Sequence, residues 1–371
     1  MPTATITSNQ GKSTSPSGAG ERREAAAKPL LRLILGALAL CAGCTSVGSR
    51  YPADMVAEGR IEPGAQRPPA DPHVYHGRVA TVRSRLGPGV APYFARLLRQ
   101  EADRLEALFG RSPDQRVTVQ AHPTMAEFRR HAGPPAVGPR TRGVWDAREG
   151  VIHLSMASIP GESSDPRSVL LHEYVHFYLD ACFGFAVPAT SRAPGWPQRL
   201  PSVPWWLQEG LAAQMEETWR DERGRNPRGD ARQSELFHLI RTDRCPSVLS
   251  VLSKPPSAVG TSAEYAVARG LVEALLHAPD PDLRRSRREA LREYLSACGR
   301  GLPRHPDADP AGDLVGGEMD PDAAFGRWME HVGERSPELF RELIVGPGRS
   351  LEDWERAWRQ EMRRAAGSAP G

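Results

Sequence analysis

The sequence predicts an α+β fold, with a small mixed α/β part first and a mostly helical part after it. Three observations predict it. Residues 116–121 alternate apolar with polar positions, the period of a strand, and the stretches 143–145 and 151–156 carry a hairpin signal between them. Residues 91–109 interleave with them at helical spacing. Beyond residue 204 every periodic segment has the helical spacing and none alternates.

Residues 1–44 read as an export signal. Arg22, Arg23, Lys28 and Arg32 precede an apolar run from Leu33 to Ala42, which is too short to span a bilayer comfortably and ends in small residues. It closes on Cys41-Ala42-Gly43-Cys44, which resembles a bacterial lipobox with Cys41 where leucine is usual. Cys44 is then the expected lipidation site and the membrane a partner through that anchor. An ordinary cleaved signal or an uncleaved anchor is the alternative. Residues 45–90 are rich in Pro, Gly and charge and read as a tether, with a short strand near 78–83.

The helix over 91–109 is carried by Phe94, Leu97, Leu98, Leu105 and Leu108, with Gly110 as its C-cap. A strand over 116–121 and a short helix over 123–131 follow. The stretches 143–145 and 151–156 form a hairpin around Asp146-Ala147-Arg148-Glu149-Gly150. A helix over 165–183 ends at Gly184, and a loop rich in Pro, Gly and Ser leads to Ser202. Pro204 opens a helix over 205–219, proline being well placed in a first turn. Further helices are expected over 231–241, 262–277, 281–297, 322–343 and 350–366, with a loop dense in Pro, Gly and Asp over 299–321. The division is a core over 91–220 and a helical part over 221–371.

Charge and cysteine content exclude two classes. The chain has 48 Lys and Arg against 45 Asp and Glu, a formal charge of +3. Residues 1–43 hold five basic and two acidic side chains, which leaves 43 of each sign in the rest. Beyond the leader the chain is neutral and has no basic run interleaved with aromatics, so no nucleic-acid partner is expected. Cys182, Cys245 and Cys298 show no CxxC spacing, which excludes a cysteine zinc site. Export permits one disulfide among these three, and the pair stays open.

The chemistry concentrates in Val169-Leu170-Leu171-His172-Glu173-Tyr174-Val175-His176-Phe177-Tyr178. On a helix His172 and His176 lie four residues apart, so both imidazoles leave one face and can share one metal ion. Glu173 stands beside the pair, in place to act on a water. The uncharged flanks keep the helix buried on its other sides, which fixes the imidazole orientations. A catalytic zinc needs three protein ligands and one open position. The third candidate is Glu209 in Trp205-Trp206-Leu207-Gln208-Glu209-Gly210-Leu211-Ala212-Ala213, a lone carboxylate on an apolar helix that needs a cation. The competing reading of Glu209 is an exposed first-turn residue favoured by the helix dipole.

His172-Glu173-x-x-His176 with the later Trp-Leu-x-Glu-Gly-Leu-Ala resembles the gluzincin zinc metallopeptidases, and more narrowly the peptidase MA-like proteins of bacterial envelopes. The resemblance covers about residues 91 to 277 and implies a zincin-like core. It implies zinc held by His172, His176 and Glu209, with Glu173 as general base and a peptide or protein as substrate. Two departures stand out. A gap of 32 residues separates His176 from Glu209, more than in the best-known members. The acidic residue one turn after the glutamate ligand is replaced by Ala212 and Ala213, with Asp180 a weak substitute.

The resemblance also implies a tyrosine on a downstream helix as oxyanion donor, and Tyr265 is the candidate, against the reading of a core tyrosine. Residues 151–156 are expected as the strand bordering the cleft, a common mode of peptide capture. His153 then points toward substrate or sits at the surface. Trp205 and Trp206 line the cleft or pack around the ligand helix. His122, His131 and the remaining histidines show no ligand spacing. The expected reaction is zinc-dependent peptide hydrolysis. The alternatives are a non-catalytic envelope lipoprotein of the same fold and a zinc amidase acting on a cell-wall substrate.

Overall fold

The strands of the first part form one five-stranded mixed sheet in the order β1-β2-β3-β5-β4. The strands are β1 (His73–His76), β2 (Ala80–Ser84), β3 (Val117–His122), β4 (Gly143–Asp146) and β5 (Val151–Ser155). This is a computed structural model, and it describes residues 71–133, 141–157, 165–186, 199–218, 227–300 and 321–368. The leader with Cys44 and residues 45–70 lie outside the described residues. Among those described, no helix is long and apolar enough to cross a membrane.

β2, β3 and β5 run parallel, while β1 and β4 close the two edges in antiparallel sense. The register aligns Val82, Val119, Ile152 and Trp145 in one row across the sheet. Side chains alternate along a strand, so this row lies on one face. The crossover from β2 to β3 is α1 (Val90–Phe109), which buries Phe94, Leu98 and Leu105 and ends at Gly110 with φ +71°. That left-handed cap is available to glycine at little steric cost. α2 (Met125–Ala132) follows β3, capped by the Thr124 side chain. α3 (Pro166–Phe183) starts with Pro166 in its first turn, where the Asp165 carboxylate accepts from the Arg167 N–H at 2.9 Å.

A two-stranded pair, β6 (Phe185–Ala186) with β7 (Arg199–Leu200), ties the ends of the next loop. The helical part comprises α4 (Trp205–Thr218), α5 (Pro227–Arg241), α6 (Val248–Leu252), α7 (Ser262–Leu276) and α8 (Pro281–Gly299). α9 (Pro321–Phe340) continues into a π-helical turn, Arg341–Val345, and α10 (Leu351–Ser368) ends the described chain. α4 is central, packed against both α3 and α7. Gly210 makes the second contact possible, since a Cβ there would lie 2.4 Å from the Ala268 carbonyl oxygen. α7 begins with a capping box in which the Thr261 N–H donates to Glu264 Oε2 at 2.7 Å.

The mixed α+β order therefore holds. β2 falls on the short strand expected near 78–83, whereas β1 lies within the stretch read as tether. β1, α6 and the two-residue strands β6 and β7 carry no sequence signal. β1 is mostly exposed and has no apolar alternation, and α6 is five residues long, too short to show a period.

Candidate metal centre

Burial sets which side of α3 is open. Beyond Pro166, every residue of α3 is buried except His172, Glu173 and His176. A helix enclosed on all other sides thus opens only along the motif stripe. α4 repeats the pattern, since from Trp205 to Glu216 only Glu209 escapes burial. The two stripes meet. His172 Nε2 lies 3.3 Å from Glu209 Oε2, and His176 Nε2 lies 3.8 Å from Glu209 Oε1. One possible ligand atom from each of the three residues falls within 4.8 Å of the others. The fold closes the 32-residue gap and brings the expected trio together.

The outer nitrogens decide the tautomers. His172 Nδ1 is 2.7 Å from Glu216 Oε1, and a carboxylate only accepts, so Nδ1 carries a proton. His176 Nδ1 is 3.0 Å from Gln208 Oε1, while Gln208 Nε2 donates to the Val203 carbonyl at 2.7 Å. That second bond orients the amide, so His176 Nδ1 is also a donor. In the neutral rings both Nε2 lone pairs then face the Glu209 carboxylate. Glu209 Oε2 is buried and has no hydrogen-bond partner among the described residues. Three electron-rich atoms around one buried point are unfavourable until a cation or proton joins them. Two imidazoles and one carboxylate are a donor set that a divalent transition-metal ion can take.

The electrostatics carry the same imprint. Burial alone lowers the His172 pKa, but the Glu209 and Glu216 carboxylates beside it outweigh this and raise it well above the usual 6.5. Burial pushes Glu209 up, and His172, His176 and Arg232 overcome that to hold it below the usual carboxylate range. Arg232 on α5 reaches Glu216 Oε2 at 3.5 Å, so the carboxylate that orients His172 is itself paired.

Glu173 turns from the trio toward the sheet, where its Oε2 accepts from the Trp145 backbone N–H at 2.9 Å. Burial raises its pKa above the usual carboxylate range, against the opposing pull of His172 and His176. Gly143 lets the strand come this close. A Cβ there would lie 2.6 Å from Val169 Cγ1 and 2.7 Å from Glu173 Cγ.

Several expectations are corrected. The strand bordering the cleft is β4, not residues 151–156, because the hairpin returns outward and leaves β5 internal between β3 and β4. His153 neither faces the cleft nor sits at the surface. It is buried, with Nδ1 3.1 Å from His122 Nε2, and His122 in turn stacks on His131. His172 has an acidic partner in Glu216, while His176 is held by the Gln208 amide. Glu216 stands two turns past Glu209 on the same side of α4, beyond the single turn where such a residue is usual. Asp180 does not serve the histidines, since its Oδ2 accepts from the Trp145 indole Nε1–H at 2.8 Å.

Tyr265 lies in the first turn of α7, its ring edge-on to Trp205 at 5.1 Å, one turn before Glu209. Trp205 and Trp206 are fully buried and pack the core. Trp206 contacts Tyr294 and Phe340 edge-on. Cys182, Cys245 and Cys298 are free thiols. Gln208 and Glu216 are the site residues that the sequence reading missed. Their signal was polarity at buried positions of an apolar helix, next to Glu209 and seven residues beyond it. No family model matches this chain, and a search of curated proteins finds no match either.

Proposed function

We propose that this chain is a zinc-dependent hydrolase of peptide bonds. The observation that carries the reading is the division of labour on two buried helices. Three residues converge through Nε2, Nε2 and a carboxylate, while a fourth, Glu173, stands beside them and outside the set. A purely structural zinc site has four protein ligands and no use for an adjacent base. The lipobox-like end at Cys44 supports export and a lipid anchor, which gives the reaction an extracytoplasmic setting.

His172, His176 and Glu209 would hold the ion, with Glu216 and Gln208 fixing the two rings. When bound, zinc supplies Lewis acidity and lowers the pKa of water at its open position to about 7. Glu173 takes the proton of the attacking water and hands it to the leaving amine, so both transfers use one carboxylate. The Trp145 N–H occupies one oxygen of Glu173 and leaves the other for the proton. The scissile carbonyl becomes an oxyanion and needs a donor. Tyr265, on the helix packed against α4, is the candidate for that hydrogen bond.

The test pairs metal analysis with cleavage of fluorescein-labelled casein. The wild-type chain should bind one zinc and cleave, and Glu173→Gln should bind zinc equally and lose cleavage by about 10²–10⁴-fold. A zinc-loaded wild type inert toward casein and varied peptides would overturn the reading and favour a binding role.

A further inference from the structure

Trp145 is bonded to two carboxylates of one helix. Its backbone N–H donates to Glu173 Oε2 at 2.9 Å and its indole Nε1–H to Asp180 Oδ2 at 2.8 Å. Glu173 and Asp180 are seven residues apart, two turns of α3, and so lie on the same side of it. Between them Phe177 meets the Trp145 ring edge-on, with centroids 5.3 Å apart. The tryptophan therefore lies along the helix with one N–H at each acid.

Asp180 is buried, and its Oδ1 has no hydrogen-bond partner among the described residues. A half-satisfied buried carboxyl is a poor stabiliser, and an apolar side chain would pack there at less cost. What Asp180 does provide is a fixed point for β4. That strand has four residues and, among the described residues, pairs with β5 alone, so its height over α3 rests on side contacts. These are the close approach at Gly143, the Trp145–Phe177 ring contact, and the Trp145 bonds to Glu173 and Asp180, of which the Asp180 bond holds the side chain.

We propose that Asp180 is a positioning residue for the base. It anchors the Trp145 indole, and so holds β4 where the Trp145 N–H fixes the Glu173 carboxylate in one orientation. The proposal rests on Glu173 acting as the base, and its test includes a signal independent of catalysis. A misplacement of about 1 Å at a reacting group can lower a rate by about 10²-fold.

Selective ¹⁵N-tryptophan labelling of the full chain gives the backbone and indole N–H of Trp145, assigned with Trp145→Phe. Asp180→Leu should shift both resonances, the backbone one in the direction that Glu173→Ala, which removes the acceptor, shifts it. Its zinc affinity, by chelator competition, should stay within about threefold of wild type, as should KM on fluorescein-labelled casein. Its kcat should fall about 10–100-fold. Asp180→Asn, which keeps an acceptor oxygen, should restore most of the kcat and both resonances. The proposal fails if the backbone resonance of Trp145 stays put in Asp180→Leu. It also fails if zinc affinity drops in step with kcat, or if Asn is no better than Leu. If wild type holds zinc but cleaves nothing, the hydrolase reading falls, and the backbone resonance alone decides whether Asp180 sets the Glu173 contact.

Discussion

His172 and Glu216 are joined at 2.7 Å through Nδ1 and Oε1, which ties one end of the candidate metal site to the far half of α4. The bond fixes the tautomer that leaves Nε2 free, and Arg232 holds the carboxylate from α5. Losing such an outer partner typically lowers metal affinity 10–100-fold. Glu216→Ala should therefore weaken zinc binding by about that factor in competition with a fluorescent chelator. Gln208→Ala should act in the same direction through His176. An unchanged dissociation constant for Glu216→Ala would show that His172 needs no help to present Nε2.

Gly143→Ala tests the seat of the edge strand. The added methyl would meet Val169 Cγ1 at 2.6 Å and Glu173 Cγ at 2.7 Å. Val169 is β-branched and stiff at χ1, so relief must come from the strand or from Glu173. Overpacking of this kind costs about 1–3 kcal/mol. The urea midpoint should fall accordingly, and the Trp145–Glu173 bond should lengthen. A midpoint equal to wild type would mean that β4 rides freely over α3.

Much of this was legible in the sequence, and the reasons differ by element. The ends of α1 and α3 could be read because Gly110 and Asp165-Pro166 are local signals that act through backbone geometry. The trio could be read because metal ligation needs fixed residue types at fixed spacing, and Glu209 was conspicuous as a lone charge among Trp, Leu, Gly and Ala. Which strand forms the sheet edge was not legible. Residues 143–145 and 151–156 read as the two arms of one hairpin, and only tertiary pairing with β3 decides which lies inside. Glu216 was hidden for a similar reason, since its role depends on how α4 crosses α3. Asp180 looked like a histidine partner because it lies one turn past His176, but the side chain runs to Trp145 instead.

Glu101 on α1 should make the fold sensitive to pH. Burial pushes its carboxyl from 4.5 up to about 7, with Arg104 pulling weakly the other way. The folded state thus holds a proton between those values that the unfolded state releases. The associated stability is fully present below pH 4.5 and lost as the pH rises through about 7. At about 1.4 kcal/mol per pH unit this amounts to about 3 kcal/mol. Glu101→Gln removes the titration. Asp180, raised by burial to about 7, contributes with the same sign and remains. In urea titrations at pH 5 and pH 8 the variant should lose less stability on going to pH 8 than wild type does. Equal losses would place the Glu101 carboxylate in contact with water.

Zinc should act as a clamp between two helices that come from separate stretches of chain. His172 and His176 belong to α3, whereas Glu209 belongs to α4 across a 32-residue gap. An ion that binds all three binds the folded state and not the unfolded one, so it adds stability by mass action. At a thousandfold excess over its dissociation constant the gain is about 4 kcal/mol, which for a chain of this size corresponds to a melting shift on the order of 5–10 °C. Calorimetry after chelation and after zinc return should show that shift and its reversal. Glu209→Ala removes the ligand that α4 would supply, so its melting temperature should respond far less to zinc. Gly210→Ala should also blunt the response, because its methyl would strike the Ala268 carbonyl and push α4 off α7, displacing Glu209 from the pair. If Glu209→Ala responded to zinc as fully as wild type, the ion would be held by α3 alone, and the three-ligand centre would be wrong.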